Sequence, residues 1–372
     1  MHSFSVRALT RLVAFVAFSL PVISRGDVST PPVFRITDLG VIPGKTVFNA
    51  FGINDLGQVT GSADDTVFLW SRSTGMLDLG KPAGFDSAFG SEINNNGQIA
   101  VGTSKGSGPN FQGRAFRWTS GVFQDMGTLG GVYSSAHGID GSGRIAGYSY
   151  TTTPNVWHAY RSTSGDSLVD IDSMGGNFSF ATGINESGHV VGRARLSNGQ
   201  EHAFLWNGFG SMQDLGTLGG STSEANDISD SGIVVGVSFT SQLAVHAFKW
   251  QNGVMADFGS PTPFNSRAYA VNDSAQIVGN YSDGVTTQPL YWDGAGVMYD
   301  LNTVLDPITG AGWNLRHAFN INNRGQIVGQ GIHDGALRAY LLTPVPEPPP
   351  TVLLLIAAAA AAMVRRVSLN KR

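Results

Sequence analysis

Four short segments recur in a fixed order along this chain, seven times over between residues 33 and 342. The first is apolar-Asp-Leu-Gly, with its aspartate at Asp38, Asp78, Asp125, Asp170, Asp214, Asp257 and Asp300. The second is a run of small residues ending in Ile-Asn, as at Ile53-Asn54, Ile93-Asn94, Ile184-Asn185 and Ile321-Asn322, and varied at Ile139-Asp140, Ile228-Ser229 and Val271-Asn272. The third, of Gly-Gln-Ile-Val-Gly type, ends at Gly61, Gly102, Gly147, Gly192, Gly236, Gly279 and Gly329. The fourth is His-Ala-Phe-Leu-Trp, best kept at His202–Trp206 and His246–Trp250. Successive third-segment glycines lie 41, 45, 45, 44, 43 and 50 residues apart. A regular period of this size marks a repeat architecture.

Each segment is too short for a helix and alternates in polarity, as a half-buried strand does. Between the second and third stand Asn54-Asp55-Leu56-Gly57, Asn94-Asn95-Asn96-Gly97 and their equivalents. An Asx residue followed by glycine in a left-handed position makes a tight hairpin turn. Ala275 takes the glycine position in the sixth repeat, so that turn must hold a less favourable residue. Four strands in about 44 residues match one blade of a β-propeller, and seven copies fall within the usual four to eight. The expected fold is therefore all-β, a seven-bladed β-propeller over 33–342. The repeat region opens on the Asp-Leu-Gly strand alone and closes on the other three segments. The first strand is then the missing fourth strand of the last blade, and closure removes exposed sheet edges.

Composition narrows the function. Residues 33–342 hold 16 basic and 25 acidic residues, a net charge of −9, which argues against binding a phosphate backbone. Cysteine is absent, so neither a disulfide framework nor a thiol nucleophile is available. The first 26 residues read as a signal peptide: Arg7 and Arg11 precede a largely apolar run from Leu12 to Ile23. At the other end, a proline-rich linker (343–350) contains Pro346-Glu347-Pro348. An apolar segment (351–366) ending in Arg365-Arg366 follows, and reads as a short C-terminal transmembrane helix.

Pro-Glu-Pro, an apolar helix and Arg-Arg in this order resemble the PEP-CTERM sorting domain of Gram-negative bacteria. The resemblance covers about residues 344–366. It implies that the tail, through Pro346, Glu347, Pro348, Arg365 and Arg366, holds the protein transiently in the inner membrane. An exosortase, a membrane protease or transpeptidase, then releases it to the cell surface or beyond. The same resemblance implies an association with exopolysaccharide and biofilm. The four segments of the body resemble the HAF repeat of bacterial extracellular proteins, named for its His-Ala-Phe triplet, which implies an exported repeat protein.

No catalytic motif stands out. Phosphate-binding loops are absent, and an aspartate repeated seven times is not a catalytic one. Glu92, Glu186, Glu201 and Glu224 are unique to their repeats but scattered in sequence. His158, His202 and His246 share one repeat position and should lie apart around a ring, while His137, His189 and His333 have no repeat partner and no metal-binding spacing. Asp140-Gly141-Ser142-Gly143 and Asp227-Ile228-Ser229-Asp230 are the turns nearest to a calcium loop, and both lack its full ligand set. No metal or cofactor is expected, with calcium at one of these turns as the alternative. Trp157 and Trp313 fall outside the repeated tryptophan register and are the candidate ligand contacts. The sequence reading is a non-enzymatic binding module for polysaccharide or envelope components. Its alternatives are a structural biofilm matrix protein and a propeller-type polysaccharide lyase or hydrolase.

Overall fold

The computed structural model describes residues 31–107, 111–261, 265–282 and 284–346. The signal segment (1–26), the linker from Glu347 and the apolar tail with Arg365 and Arg366 lie outside them. Among the described residues no helix is long and apolar enough to cross a membrane. All the architecture below belongs to the compact unit that begins at Pro32.

Every repeat contributes four strands. The Ile-Asn segments form the inner strands Phe48–Ile53, Ser87–Ile93, Gly130–Ile139, Gly175–Ile184, Gly219–Ile228, Asn265–Val271 and Trp313–Ile321. Each touches the inner strand of the next repeat, and the last touches the first. The three later segments pair antiparallel outward, as in Phe48–Ile53, Val59–Ala63, Thr66–Ser71 and Gly75–Gly80. The N-terminal strand Phe34–Asp38 pairs antiparallel with Ala336–Pro344, from Phe34 opposite Pro344 to Asp38 opposite Tyr340. It is the outer strand of the last sheet, so the chain closes its own ring.

The expected seven separate sheets are not what forms. Four repeats make separate four-stranded sheets, while the third, fourth and fifth run together as one twelve-stranded sheet. The cause is local. Inner strands of these three repeats begin early, at Gly130-Gly131, Gly175-Gly176 and Gly219-Gly220, and reach ten residues. That length carries Phe178 beside Trp157 and Thr222 beside Glu201 as single parallel pairs. Within the large sheet the antiparallel groups keep the four-segment order.

Seven hydrophobic clusters hold the described residues together, and each is shared between consecutive repeats. The repeated tryptophans Trp70, Trp118, Trp206, Trp250 and Trp292 lie in them, none more than 9% exposed. Burying so large a ring stabilises by roughly 2–3 kcal/mol each. One cluster joins Val328, Ala339 and Leu341 of the last repeat to Phe48, Ile53 and Trp70 of the first, so the ring is sealed by packing as well as by pairing.

Polar signatures seal it too. The Ile-Asn asparagines donate a side-chain hydrogen bond to a backbone carbonyl of the next repeat: Asn54 to Asn94, Asn94 to Asp140, Asn185 to Ser229, and Asn272 to Asn322. Asn322 donates to the Asn54 carbonyl at 2.9 Å, from last repeat to first. Each Asp-Leu-Gly aspartate accepts the amide two residues on, for example Gly40 to Asp38 and Gly216 to Asp214 at 2.8 Å. In three repeats it also binds the histidine of His-Ala-Phe, joining His158 to Asp170, His202 to Asp214 and His246 to Asp257. These histidines thus pin neighbouring strands within their own repeats.

Candidate active site in the central cavity

All seven inner strands carry a register shift at the same place, two residues before the Ile of Ile-Asn. Such a bulge inserts one unpaired residue and re-aims its neighbours. It also explains the invariable glycine of the third segment. A Cβ at Gly61, Gly192 or Gly329 would lie 1.7, 1.8 or 1.9 Å from a carbonyl of the facing strand, so only glycine fits there.

The bulge residues are Phe51, Ser91, His137, Thr182, Asn226, Tyr269 and Phe319, and those after them Gly52, Glu92, Gly138, Gly183, Asp227, Ala270 and Asn320. Six residue types occupy the bulge position across the seven repeats, whereas the residue before it is always Ala or Gly. These side chains line a cavity of about 750 Å³ at the ring centre. Its wall is divided: Phe51, Phe89, Phe319 and Tyr269 form an aromatic side, while His137, Thr182, Asn226 and Asp227 form a polar one. Ring centroids of Phe51 and Phe319 stand 5.2 Å apart, and those of Tyr269 and Phe319 6.3 Å.

Two carboxyls sit in this wall. Glu92 crosses over Gly52, where a Cβ would come within 3.0 Å of its Oε1, and receives the Asn320 amide at 2.5 Å on Oε2. The backbone N–H of Ile93 donates to Oε1 at 3.0 Å. Glu92 therefore ties the second repeat to the seventh across the first. Although it keeps a partial opening to the cavity, protein encloses it, and this desolvation pushes it up to about 8. Asp227, in the fifth repeat, accepts N–H groups of Ile228 at 2.8 Å and Val271 at 2.9 Å. Burial raises it to about 6, with those two hydrogen bonds opposing the rise. His137 is lowered to about 4 by burial, so its imidazole is neutral. No hydrogen bond holds either of its ring nitrogens among the described residues, and its ring stacks on Tyr148 at 5.7 Å.

The cavity opens among the Asx turns, whose second residues include Asp55, Glu186, Asp230 and Asp273. These turns also interlock: Glu186 N–H donates to Asp230, and Asp273 N–H to Asn323. Asp140 is buried in its turn, where it accepts from Ser142 and Arg144.

The candidate ligand residues lie elsewhere. Trp157 starts the third strand of its repeat, with its faces against Tyr150 and Phe178 at 5.4 and 5.7 Å. Trp313 starts the last inner strand and stacks on His333 at 4.4 Å. The structure does not bring the two tryptophans together, and neither lines the cavity. Pro346 is exposed two residues beyond the last strand and is the one member of the sorting motif among the described residues. The sequence reading named Glu92, Glu186, His137 and Asp227 separately, without uniting them. Aligning the two residues before each Ile-Asn would have displayed the row that holds Glu92, His137 and Asp227; Glu186 directly follows its Ile-Asn.

No family model matches the sequence, and no curated protein matches it. Solved structures do resemble it in shape. Virginiamycin B lyase from Staphylococcus aureus aligns over 84% of this chain and all of its own, at 12% identity and a TM-score of 0.55. The β-propeller domain of the Trilobed protease from Pyrococcus furiosus aligns over 85% of this chain and 98% of its own, at 7% identity and a TM-score of 0.51. This chain is a β-propeller. A streptogramin B lyase aligns over 84% of the propeller chain and 98% of its own, at 11% identity and a TM-score of 0.50.

At these identities the likeness speaks for the fold. It nevertheless corrects the expectation that the protein is not an enzyme. Propellers of this shape include proteins described as lyases, and the acid–base groups gathered here come from separate repeats that no linear motif could display. The lack of a sequence motif was thus no argument against catalysis.

Proposed function

We propose that this protein is an exported seven-bladed propeller that hydrolyses a polysaccharide in its central cavity. Seven blades follow from reading the twelve-stranded sheet as three blades joined by single parallel pairs. The hydrolytic reading is carried by one observation: two unlike carboxyls, Glu92 and Asp227, stand in the cavity wall with environments that leave one protonated and the other ionised near neutral pH. In a ring of seven the second and fifth blades face each other. A sugar chain between them has a proton donor on one side and a base on the other, the arrangement of carboxylate glycoside hydrolysis. Glu92 gives its proton to the glycosidic oxygen as the bond to the anomeric carbon breaks. Asp227 takes a proton from water, whose oxygen bonds to that carbon. Asn320 and the Ile93 amide orient Glu92.

A lyase acting on uronate chains fits less well. No Lys or Arg among the described residues lines the cavity, so nothing there neutralises a substrate carboxylate. The export signal and the PEP-CTERM-like tail support delivery through the inner membrane, with exosortase release at Pro346-Glu347-Pro348 and an exopolysaccharide as substrate.

The test is a panel of polysaccharides incubated with the full-length protein, assayed for new reducing ends and for unsaturated ends. Reducing ends are expected, with a loss of about a hundredfold or more in Glu92→Gln and in Asp227→Asn. Activity should fall below about pH 6 as Asp227 protonates and above about pH 8 as Glu92 ionises. Unsaturated ends, or unchanged turnover in both variants, sinks the proposal.

A further inference from the structure

The cavity carries one sign of charge. Asp55, Asp140, Glu186, Asp227, Asp230 and Asp273 line it, and among the described residues no basic side chain other than His137 does. Arg144 neutralises Asp140 from outside the lining. The mouth acids act on one another. Glu186 is raised by burial and then by the charges of Asp230 and Asp140, and Asp230 by burial and then by Asp273, Asp55 and Asp140. Ligands that leave these charges unpaired, or add to them, gain nothing at the mouth.

Two further features fix the chemistry. The aromatic side brings Phe51, Phe319 and Tyr269 together in the cavity wall, a surface suited to the apolar side of a sugar ring. Opposite them, His137 is neutral, enclosed and without a hydrogen-bond partner among the described residues, and its one donor and one acceptor suit a sugar hydroxyl. Thr182 and the Asn226 amide nitrogen already donate to the Ala225 and Ala268 carbonyls, whereas both His137 ring nitrogens are open to a ligand among the described residues. An acidic mouth, an aromatic side and an unpartnered imidazole together describe a sugar chain with positive charges.

Resting on the reading that this cavity cleaves a glycan, we infer that its substrate is a glycan of unacetylated amino sugars, with ammonium groups at the acidic mouth and ring faces on the aromatic side. Each solvated ion pair adds little, and several act together, so the preference over the acetylated chain should be about tenfold.

Binding of a β-linked glucosamine hexasaccharide and of its N-acetylated counterpart is measured by calorimetry on full-length Glu92→Gln protein in mild detergent, where cleavage is suppressed. The amino sugar should bind about tenfold tighter at low salt, and the preference should shrink to about threefold or less at high salt. Adding Asp230→Asn and Asp273→Asn should shrink it likewise, since asparagine keeps the oxygens that accept Glu186 N–H and Ser231 N–H. Equal or reversed preference at low salt overturns the inference, and so does a lysine hexapeptide that binds as tightly as the amino sugar. The salt arm stands even if the multiple variant fails to fold. Wild-type protein that cleaves both chains at equal rates overturns the inference while leaving hydrolysis intact. A retained preference with no cleavage of any glycan overturns hydrolysis instead and leaves the ligand class standing.

Discussion

Glu92→Gln should make this protein more stable, and increasingly so as the medium becomes alkaline. Glutamine keeps the shape of the side chain and removes the ionisable group: its oxygen accepts the Ile93 N–H, and its NH2 meets the Asn320 amide, which turns over to present its own oxygen. Glu92 has an ordinary value of 4.5 in the unfolded chain and about 8 in the fold. Below 4.5 both states hold the proton and the group contributes nothing. Between 4.5 and about 8 the unfolded chain releases its proton and the fold keeps it, so stability falls as pH rises through that window. Above about 8 the whole penalty is present, at most about 5 kcal/mol. Glu92's partial opening to cavity water lowers it to about 2–5 kcal/mol. Roughly 310 residues from the first strand to the last give an unfolding entropy of about 0.65 kcal/mol/K. The melting temperature of Glu92→Gln relative to wild type should therefore climb by about 3–8 °C between about pH 4.5 and pH 9. Asp227 and His137 also titrate, but they do so in both proteins and largely cancel in the difference. Paired thermal melts across that range check this. A difference that does not move with pH, or a variant that weakens as pH rises, would refute the account of Glu92 as an enclosed, protonated acid.

Other consequences of the ring can be read directly. Asn322→Ala removes the bond to the Asn54 carbonyl and the acceptor for the Arg324 and Gln326 amides, and should cost about 2–3 kcal/mol in denaturant unfolding. Ala275 holds the turn position that other repeats give to glycine, at φ +59°, so Ala275→Gly should stabilise by about 1 kcal/mol, seen as a higher melting temperature. Removing residues 1–39 strips the partner from strand Ala336–Pro344 and bares its edge, so light scattering should show association. Appending residues 33–39 after Pro346 in that truncated chain should remove this association. Gly52→Ala would place a methyl within 2.8 Å of the Glu92 Cα and should cost about 1–3 kcal/mol, read from its melting temperature, together with most of the activity.

The four repeated segments were sufficient, before any coordinates, to give the strands, their order and the closure of the last sheet by the first strand. They work because each records a local requirement: an Asx-Gly turn, an aspartate holding the amide two residues on, a tryptophan buried against the next repeat. The His-Ala-Phe histidines could be placed apart for the same reason, though their pairing with the Asp-Leu-Gly aspartates emerged only from the strand register. The glycine pairs that begin at Gly130, Gly175 and Gly219 stand in the sequence, but their consequence, the merging of three repeats into one sheet, depends on how closely neighbours approach.

The cavity was illegible for a deeper reason. Sequence comparison among repeats rewards sameness, and the site is built from the positions where the repeats are unlike. Glu92 and Asp227 lie 135 residues apart (227 − 92) and look like isolated acids until the ring closes. Only closure places them in the wall of one cavity, and only that enclosure raises their proton affinities above those of ordinary surface carboxyls. The sequence by itself determined the repeat and its hydrogen-bonding code, because those are short-range. The tertiary structure decided the seven shared bulges, the division of the cavity wall and the charge states within it, because burial and electrostatics belong to the assembled ring rather than to any one repeat.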